Sequence, residues 1–371
     1  MSYYLVHHFD PDFDYENLLP RERVDGNVDY YNLGYVQNVR EGELLAEWRE
    51  EKPEDTTPWV FECASRDFPS GENTRIDPND GNRLLASANG YVFYLDGYIT
   101  IKKTLNVRRD IDFHTGNIFF LGNVIVHGSV RTGFSVRGVN VMARDVIEGA
   151  KVHASDSVLA EAGIKGAHKA LVRAEGNIRA AFAENTQILA GKSTLIDGSL
   201  MHSEVFAGKQ LVVKDMLVGG RAISSRYIYV EGQLGGGLST ETTLILGYDA
   251  VLMYKAHLLG EHIRELNARL EEYTLALRHH STLKDEFEPK ILRTEKKLGA
   301  CRHKMRELWD GMEKVQDLES CRVVVPGAVR PGVEITIGEA RLKVTDYLEN
   351  VCFRYQDYDI VVDSPAVSHE G

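Results

Sequence analysis

The sequence predicts a mainly β chain: a right-handed parallel β-helix with an inserted antiparallel coiled-coil hairpin and a small N-terminal β-rich domain. Three observations predict it. Short apolar-x-small phrases recur every 16 to 20 residues through the middle of the chain. Most glycines crowd the same stretch, between Gly90 and Gly247. From Lys255 to about Leu318 glycine nearly vanishes and apolar residues fall into heptads.

The repeat governs everything else. Val136-Arg-Gly138, Val152-His-Ala154, Val172-Arg-Ala174, Ile188-Leu-Ala190, Val205-Phe-Ala207 and Ala222-Ile-Ser224 start 16, 20, 16, 17 and 17 residues apart. Phe120-Leu-Gly122 lies 16 before Val136 and extends the series. Each phrase is followed by a turn and a second β-prone piece, such as Asn177-Ile-Arg179 or Leu211-Val-Val213. Alternation sets Val172 and Ala174 on one strand face and Arg173 on the other. One such unit cannot bury its own apolar face. Stacked units can, at about 4.8 Å per layer. Roughly seven to nine coils result. Left-handed hexapeptide helices need coils in multiples of six, which the 16–17 spacing breaks. The 20-residue coil carries four extra residues near Gly166-Ala-His-Lys169, so His168 and Lys169 are expected to protrude.

The heptads come in two halves. Leu259, Ile263, Leu266, Leu270, Tyr273 and Leu277 form the first seam. Leu298, Cys301, Met305, Leu308, Met312 and Val315 form the second. The pattern weakens over Ser281–Pro289. Two helices of roughly 40 Å in an antiparallel hairpin fit this break. The rivals are a parallel dimeric coiled coil and a helical core packed on the β-domain. Strand-like segments at 322–326, 333–337, 351–355 and 359–362 then return to add coils or close the open end. Val39–Ala46 reads as a turn between strands, and Gly90–Tyr94 as the strand that re-enters the solenoid. The expected divisions are a capping domain 1–97, a β-helix 98–254, a hairpin 255–320, returning strands 321–363 and a tail 364–371.

Composition narrows the function classes. The 371 residues are 43% hydrophobic and 26% charged, with net charge −12. That balance disfavours nucleic acid as a partner, which needs concentrated Lys and Arg. The N-terminus lacks the basic start, apolar run and cleavage site of a signal peptide, and no run of about 20 apolar residues suggests a membrane span. Cys63, Cys301, Cys321 and Cys352 are scattered, with no CxxC pair. Reduced thiols in a cytoplasmic protein, without a zinc site, are the expectation.

Several phrases look chemical. Gly191-Lys-Ser-Thr194 suggests a phosphate loop, but Thr186 stands where the first Walker glycine belongs. Gly208-Lys209 repeats the phrase one coil on, so it reads as a recurring turn. Asp110, Asp112 and His114 would share a strand face and could hold a metal; an ordinary turn at His114-Thr-Gly116 is the competing reading. Gly235-Gly-Gly237 reads as a tight or flexible exit, and His7-His8 and His279-His280 as solvated pairs. A polysaccharide-cleaving β-helix needs carboxylates on one exposed face. The outward positions here are Arg137, His153, Arg173, Leu189 and Phe206, a ladder that turns apolar. Exposed Leu189 and Phe206 suit a protein interface better than a sugar cleft.

Residues 86–134 resemble the central segment of the flagellar assembly protein A (FapA) family. The matching phrases are Gly90-Tyr-Val, Asp112-Phe-x-Thr-Gly-Asn-Ile118 and Gly122-Asn-Val-x-Val-x-Gly-Ser-Val130. The later coils, the coiled-coil insertion and Pro331-Gly-Val-x-Ile-x-Ile-Gly338 follow in order, so the resemblance covers roughly residues 85–345. The family's Pro/Gly-rich N-terminal segment survives only in fragments within Pro58–Leu85. The β-helix also resembles those of bactofilins and of the MinC C-terminal domain. The resemblance implies a non-enzymatic, cytoplasmic bacterial scaffold or assembly protein with protein partners, further copies of itself (a homo-oligomer) among them. No catalytic residue, cofactor or metal is expected. The candidate protein-binding residues are Leu189, Phe206, Leu298, Met305, Leu308 and Met312. The alternatives are a carbohydrate-active β-helix enzyme and a small-ligand sensor acting through the N-terminal region.

Overall fold

The computed structural model describes residues 3–22, 26–54, 58–279, 284–312 and 317–366. The chain divides into two compact units, Met1–Gln187 and Ile188–Gly371. Both are built on a parallel β-solenoid, of about 8 turns in all.

The first unit begins with antiparallel strands. Tyr3–His7 lies between Val60–Cys63 and Leu44–Arg49, and Arg83–Ala86 and Thr74–Ile76 continue the sheet. Leu5, Leu45, Ala46 and Leu84 are fully buried there, as the alternation of these strands requires. Of the turn expected over Val39–Ala46, residues 40–43 form it, closed by the Glu43 N–H on the Arg40 carbonyl at 3.0 Å, and Leu44 already begins the next strand. Gly90–Leu95 does not itself enter the solenoid. It pairs antiparallel with Tyr98–Lys102 through Asp96-Gly97, whose φ angles are +52° and +84°. Two left-handed residues in a two-residue loop suit a hairpin, so the first solenoid strand is Thr104–Val107.

Each coil then contributes to three faces. On the first face Ile118, Val136, Val152 and Val172 stack in parallel register. On the second face Leu105, Val124, Val141, Val158 and Ile178 do so. The third is a column of bridges from Ile111 through Val130 and Ile147 to Ile164. Ile118 rather than Phe120 is the register partner of Val136. Phe120 instead turns its ring inward and is 2% exposed. The extra residues of the long coil do not leave as a loop. They bulge within the strand Ile164–Ala174, where Ala167 and His168 adopt φ of +47° and +58° and, with Lys169, stay exposed.

The N-terminal segment satisfies the first coil's open edge. The Asn38 amide donates to the Phe119 carbonyl at 2.7 Å and accepts from the Leu121 N–H at 3.1 Å. The Tyr31 carbonyl accepts the Asn117 N–H at 2.5 Å. An uncovered strand edge invites pairing with another chain, and these bonds close part of it.

The second unit continues the same plan. Val205, Ala222, Leu244 and Ile335 align on its first face. Thr194, Leu211, Ile228 and Val323 align on the second, and Leu200, Leu217, Leu234 and Val329 on the third. Two helices, α1 (Ala250–His279) and α2 (Lys284–Met312), interrupt the last coil between its first and second faces. After them Arg322–Val329 and Val333–Ile337 resume parallel pairing. Ala340–Lys343, Leu348–Gln356 and Asp359–Asp363 then fold back antiparallel on the final coil.

Candidate functional site

The outward rungs of the first face change chemistry along the chain. In the first unit they are Phe119, Arg137, His153 and Arg173, in register on successive coils. Arg137 lies over the Phe119 ring at 6.0 Å, and Arg173 pairs with Glu175 at 2.7 Å. Burial, then Arg137 and Arg173 on either side, hold the His153 imidazole below its ordinary pKa, against the pull of Glu175. In the second unit the corresponding rungs are Phe206, Ile223 and Ile245.

Helix α1 packs on that apolar stretch. Asp249 caps it, its carboxylate accepting the N–H groups of Val251 at 2.8 Å and Leu252 at 2.9 Å. The first turns then bring Tyr254 and His257 over Phe206, with ring centroids 5.1 and 5.7 Å away. His257 Nε2 meets Glu204 at 3.0 Å and Glu261 at 3.6 Å, and Arg221 approaches the same Glu204 at 3.7 Å. The contact is therefore an apolar centre with a polar rim.

This corrects the expected interface. Leu189 is 3% exposed and Phe206 0%. The outward ladder turns apolar because the chain's own helix lies over Phe206, so that side chain is not displayed to a separate partner. The hairpin seam is likewise occupied. Leu298 and Met312 are 4% and 1% exposed, and Met305 and Leu308 are half-buried. The Tyr273 and Phe287 rings meet at 5.8 Å near one end of the hairpin. Toward the other end a Cβ at Gly260 would lie 3.8 Å from the Met305 methyl. The two helices thus run antiparallel against each other; Val315 lies outside the described residues.

The other candidate chemistry resolves into structure. Thr194 of the Gly-Lys-Ser-Thr phrase points into the core at 1% exposure, stacked on Leu211, and its hydroxyl has no hydrogen-bond partner among the described residues. A Cβ at Gly208 would fall 2.0 Å from the Gly191 carbonyl oxygen, so the two Gly-Lys turns stack with nothing between them. Asp112 closes a local turn: its carboxylate accepts the His114 N–H at 2.8 Å, with the His114 ring at 3.2 Å. Burial works to raise the Asp112 pKa, but these bonds outweigh it and hold it low. Asp110 instead accepts Ser129 N–H and Arg131 Nε, both at 2.8 Å. Among the described residues no three His, Cys, Asp or Glu side chains gather as metal ligands. Gly235 and Gly237 take φ of +88° and +95°, a tight corner. Burial, with Asp317 beside it, pushes the Cys321 thiol up to about 11, which leaves it protonated and unreactive.

His7 is not solvated. It is 2% exposed, ringed by Phe9, Phe61 and Tyr94 at 5.5, 4.6 and 5.9 Å. Its Nδ1 donates to the Trp59 carbonyl at 3.2 Å, and Nε2 has no partner among the described residues. Its neighbour His8 is exposed, while the His279 side chain and His280 lie outside the described residues.

A surface that the sequence reading missed lies on the second face of the first unit. There the outward rungs run Asn106, Ile125, Met142, Leu159 and Arg179. Ile125, Met142, Leu159 and Arg179 floor an open groove of about 440 Å³ that reaches Thr104 on the first coil. One wall is a polar ladder: Asn140 donates to Asn123 Oδ1 at 3.0 Å, and Ser157 N–H to Asn140 Oδ1 at 3.1 Å.

With this geometry in place, residues 103–360 match the Flagellar Assembly Protein A beta solenoid domain. The chain belongs to the Flagellar Assembly Protein A family. The match takes in the parallel coils, both helices and most of the closing strands. Membership relates the chain to flagellar assembly. Comparison with curated proteins and with solved structures yields no match. Among the described residues no helix is long and apolar enough to cross a membrane.

Proposed function

We propose that this chain is a non-enzymatic cytoplasmic scaffold that holds protein partners on its solenoid faces and on the outer surface of its helical hairpin, in flagellar assembly or polar organisation. The observation that carries this reading is the in-register outward ladder. Each coil places one side chain above the next at about 4.8 Å, a fixed periodic surface suited to gripping another chain. The hairpin supports it too. Its seam is filled from within, so its charged outer positions are what it offers to others.

The test is made in the native cell. Deleting the gene is expected to reduce flagellar number, counted by electron microscopy. The tagged full chain is expected to retain specific partners in quantitative affinity purification. Reversing exposed charges at Arg293 and Arg302 should remove a subset of them. Normal flagellation together with no partner above the untagged control would overturn the proposal.

A further inference from the structure

Apolar side chains on the outside of a solenoid call for cover, and the chain shows one form of it. Where the first face of the second unit turns apolar at Phe206 and Ile223, α1 lies over Phe206, with Tyr254 and His257 three residues apart on its ring. A helix suits such a ladder because it offers a side chain every turn, about 5.4 Å, close to the ~4.8 Å coil step.

The second face of the first unit has the same chemistry. Ile125, Met142 and Leu159 stand in register on consecutive coils and are only half-buried. Just past the ends of the strands that carry Asn106 and Met142 come the exposed Arg108 and Arg144, with the exposed Glu161 at the matching position one coil beyond Arg144. The floor is thus apolar, and beside the Asn106 and Met142 rungs the margin carries two arginines, in a chain whose net charge is −12.

We propose that this groove docks an amphipathic α-helix of a partner protein, with an apolar stripe on Met142 and its neighbours and Asp or Glu facing Arg108 and Arg144. The inference rests on the scaffold reading and names its surface. From the Asn106 rung to the Arg179 rung is four coil steps, roughly 19 Å, which a helix of about 13 residues spans. The Asn140 amide is already bonded to the coils on either side, so little further ordering of that wall is needed on docking. Arginine suits carboxylates because its fork matches their two oxygens.

The test uses the full chain and a fluorescein-labelled synthetic helix of about 16 residues, with Leu at heptad positions and Glu on the flanks. A second peptide carries Lys in place of Glu. Fluorescence anisotropy at low salt should show saturable binding of the Glu peptide, and at least tenfold weaker binding of the Lys peptide. Met142→Glu should weaken the Glu peptide at least tenfold. Arg108→Gln with Arg144→Gln, both at exposed positions, should do the same with an unchanged melting temperature. No saturable binding, preference for the Lys peptide, or binding untouched by either variant overturns the proposal. If the Glu peptide fails while native partners are still retained by Met142→Glu, the groove is wrong and the scaffold reading stands. If the wild-type chain retains no partner, the scaffold reading itself fails.

Discussion

The Phe206 ring meets the Tyr254 ring edge-on, with centroids 5.1 Å apart and planes at 71°. One residue belongs to a solenoid rung and the other to the second turn of α1, so the inserted hairpin is fastened to the coil that carries it. Edge-to-face aromatic pairs contribute about 0.5–1.5 kcal/mol beyond the area they bury. Phe206→Ala removes the pair and leaves a cavity, and is expected to cost about 3–5 kcal/mol in urea unfolding. Arg173→Ala, on a half-buried rung of the same face type, should cost less than about 1 kcal/mol. Equal losses in the two variants would show that α1 does not anchor on Phe206.

Thr194 tests the apparent phosphate loop. Its hydroxyl is buried without a partner among the described residues, which costs roughly 1–3 kcal/mol. Thr194→Val keeps the shape and removes the hydroxyl, so it should raise stability by about 1 kcal/mol or more. A phosphate site would need that hydroxyl. A fall in stability, or nucleotide-dependent stabilisation of the wild type alone, would contradict the structural reading.

Gly208 and Lys192 separate a stacking role from a binding role. A methyl group at Gly208 would sit 2.0 Å from the Gly191 carbonyl oxygen, a clash with backbone that cannot swing aside. Gly208→Ala is expected to lower stability by about 1–3 kcal/mol. Lys192 is exposed, and Lys192→Ala should stay within about 0.5 kcal/mol of wild type. Thermal melts of the two variants decide the matter.

His7 makes stability depend on pH. Burial first, and then His8, lower its pKa below the ordinary 6.5, against the Trp59 carbonyl and Asp12. The folded chain therefore keeps the ring neutral, while the unfolded chain takes up a proton once the pH falls below 6.5. The stability this neutrality preserves is complete above 6.5 and is lost progressively as pH falls toward the lower folded value. The melting temperature, followed by tryptophan fluorescence, should fall as the pH is lowered below 6.5. His7→Phe should flatten the drop; an unchanged slope in that variant would assign it to other groups.

Much of the fold was legible because a solenoid writes its contacts into the sequence. Residues that stack are separated by one coil, so Val136, Val152 and Val172 could be aligned by eye and are register partners. The Ile118–Val136 pair is not legible in the spacing, because that coil is 18 residues long and Phe120 stands as an apolar residue 16 positions before Val136. Asp96-Gly97 is a readable hairpin signal, but the apolar strand before it has the same pattern as a solenoid strand. Asp249 before an apolar run was likewise a readable helix cap.

The candidate site was less legible, for a different reason. Alternation tells which side chains point out of a strand, but not whether anything lies over them. Leu189 and Phe206 do occupy non-core strand positions, as their place in the repeat says. Only the tertiary structure shows them buried, because the cover on Phe206 comes from Tyr254 and His257, about 50 residues away in a helix. His7 follows the same logic: its cage draws on Phe61 and Tyr94, distant in sequence.

The sequence by itself determined the coil, its period, the inserted hairpin and the family, since each depends on contacts at regular separations. Which side chains stay exposed was decided only in three dimensions. Exposure is a property of the whole packing. The docking of α1 covers one apolar ladder at Phe206, while the ladder through Met142 stays half open.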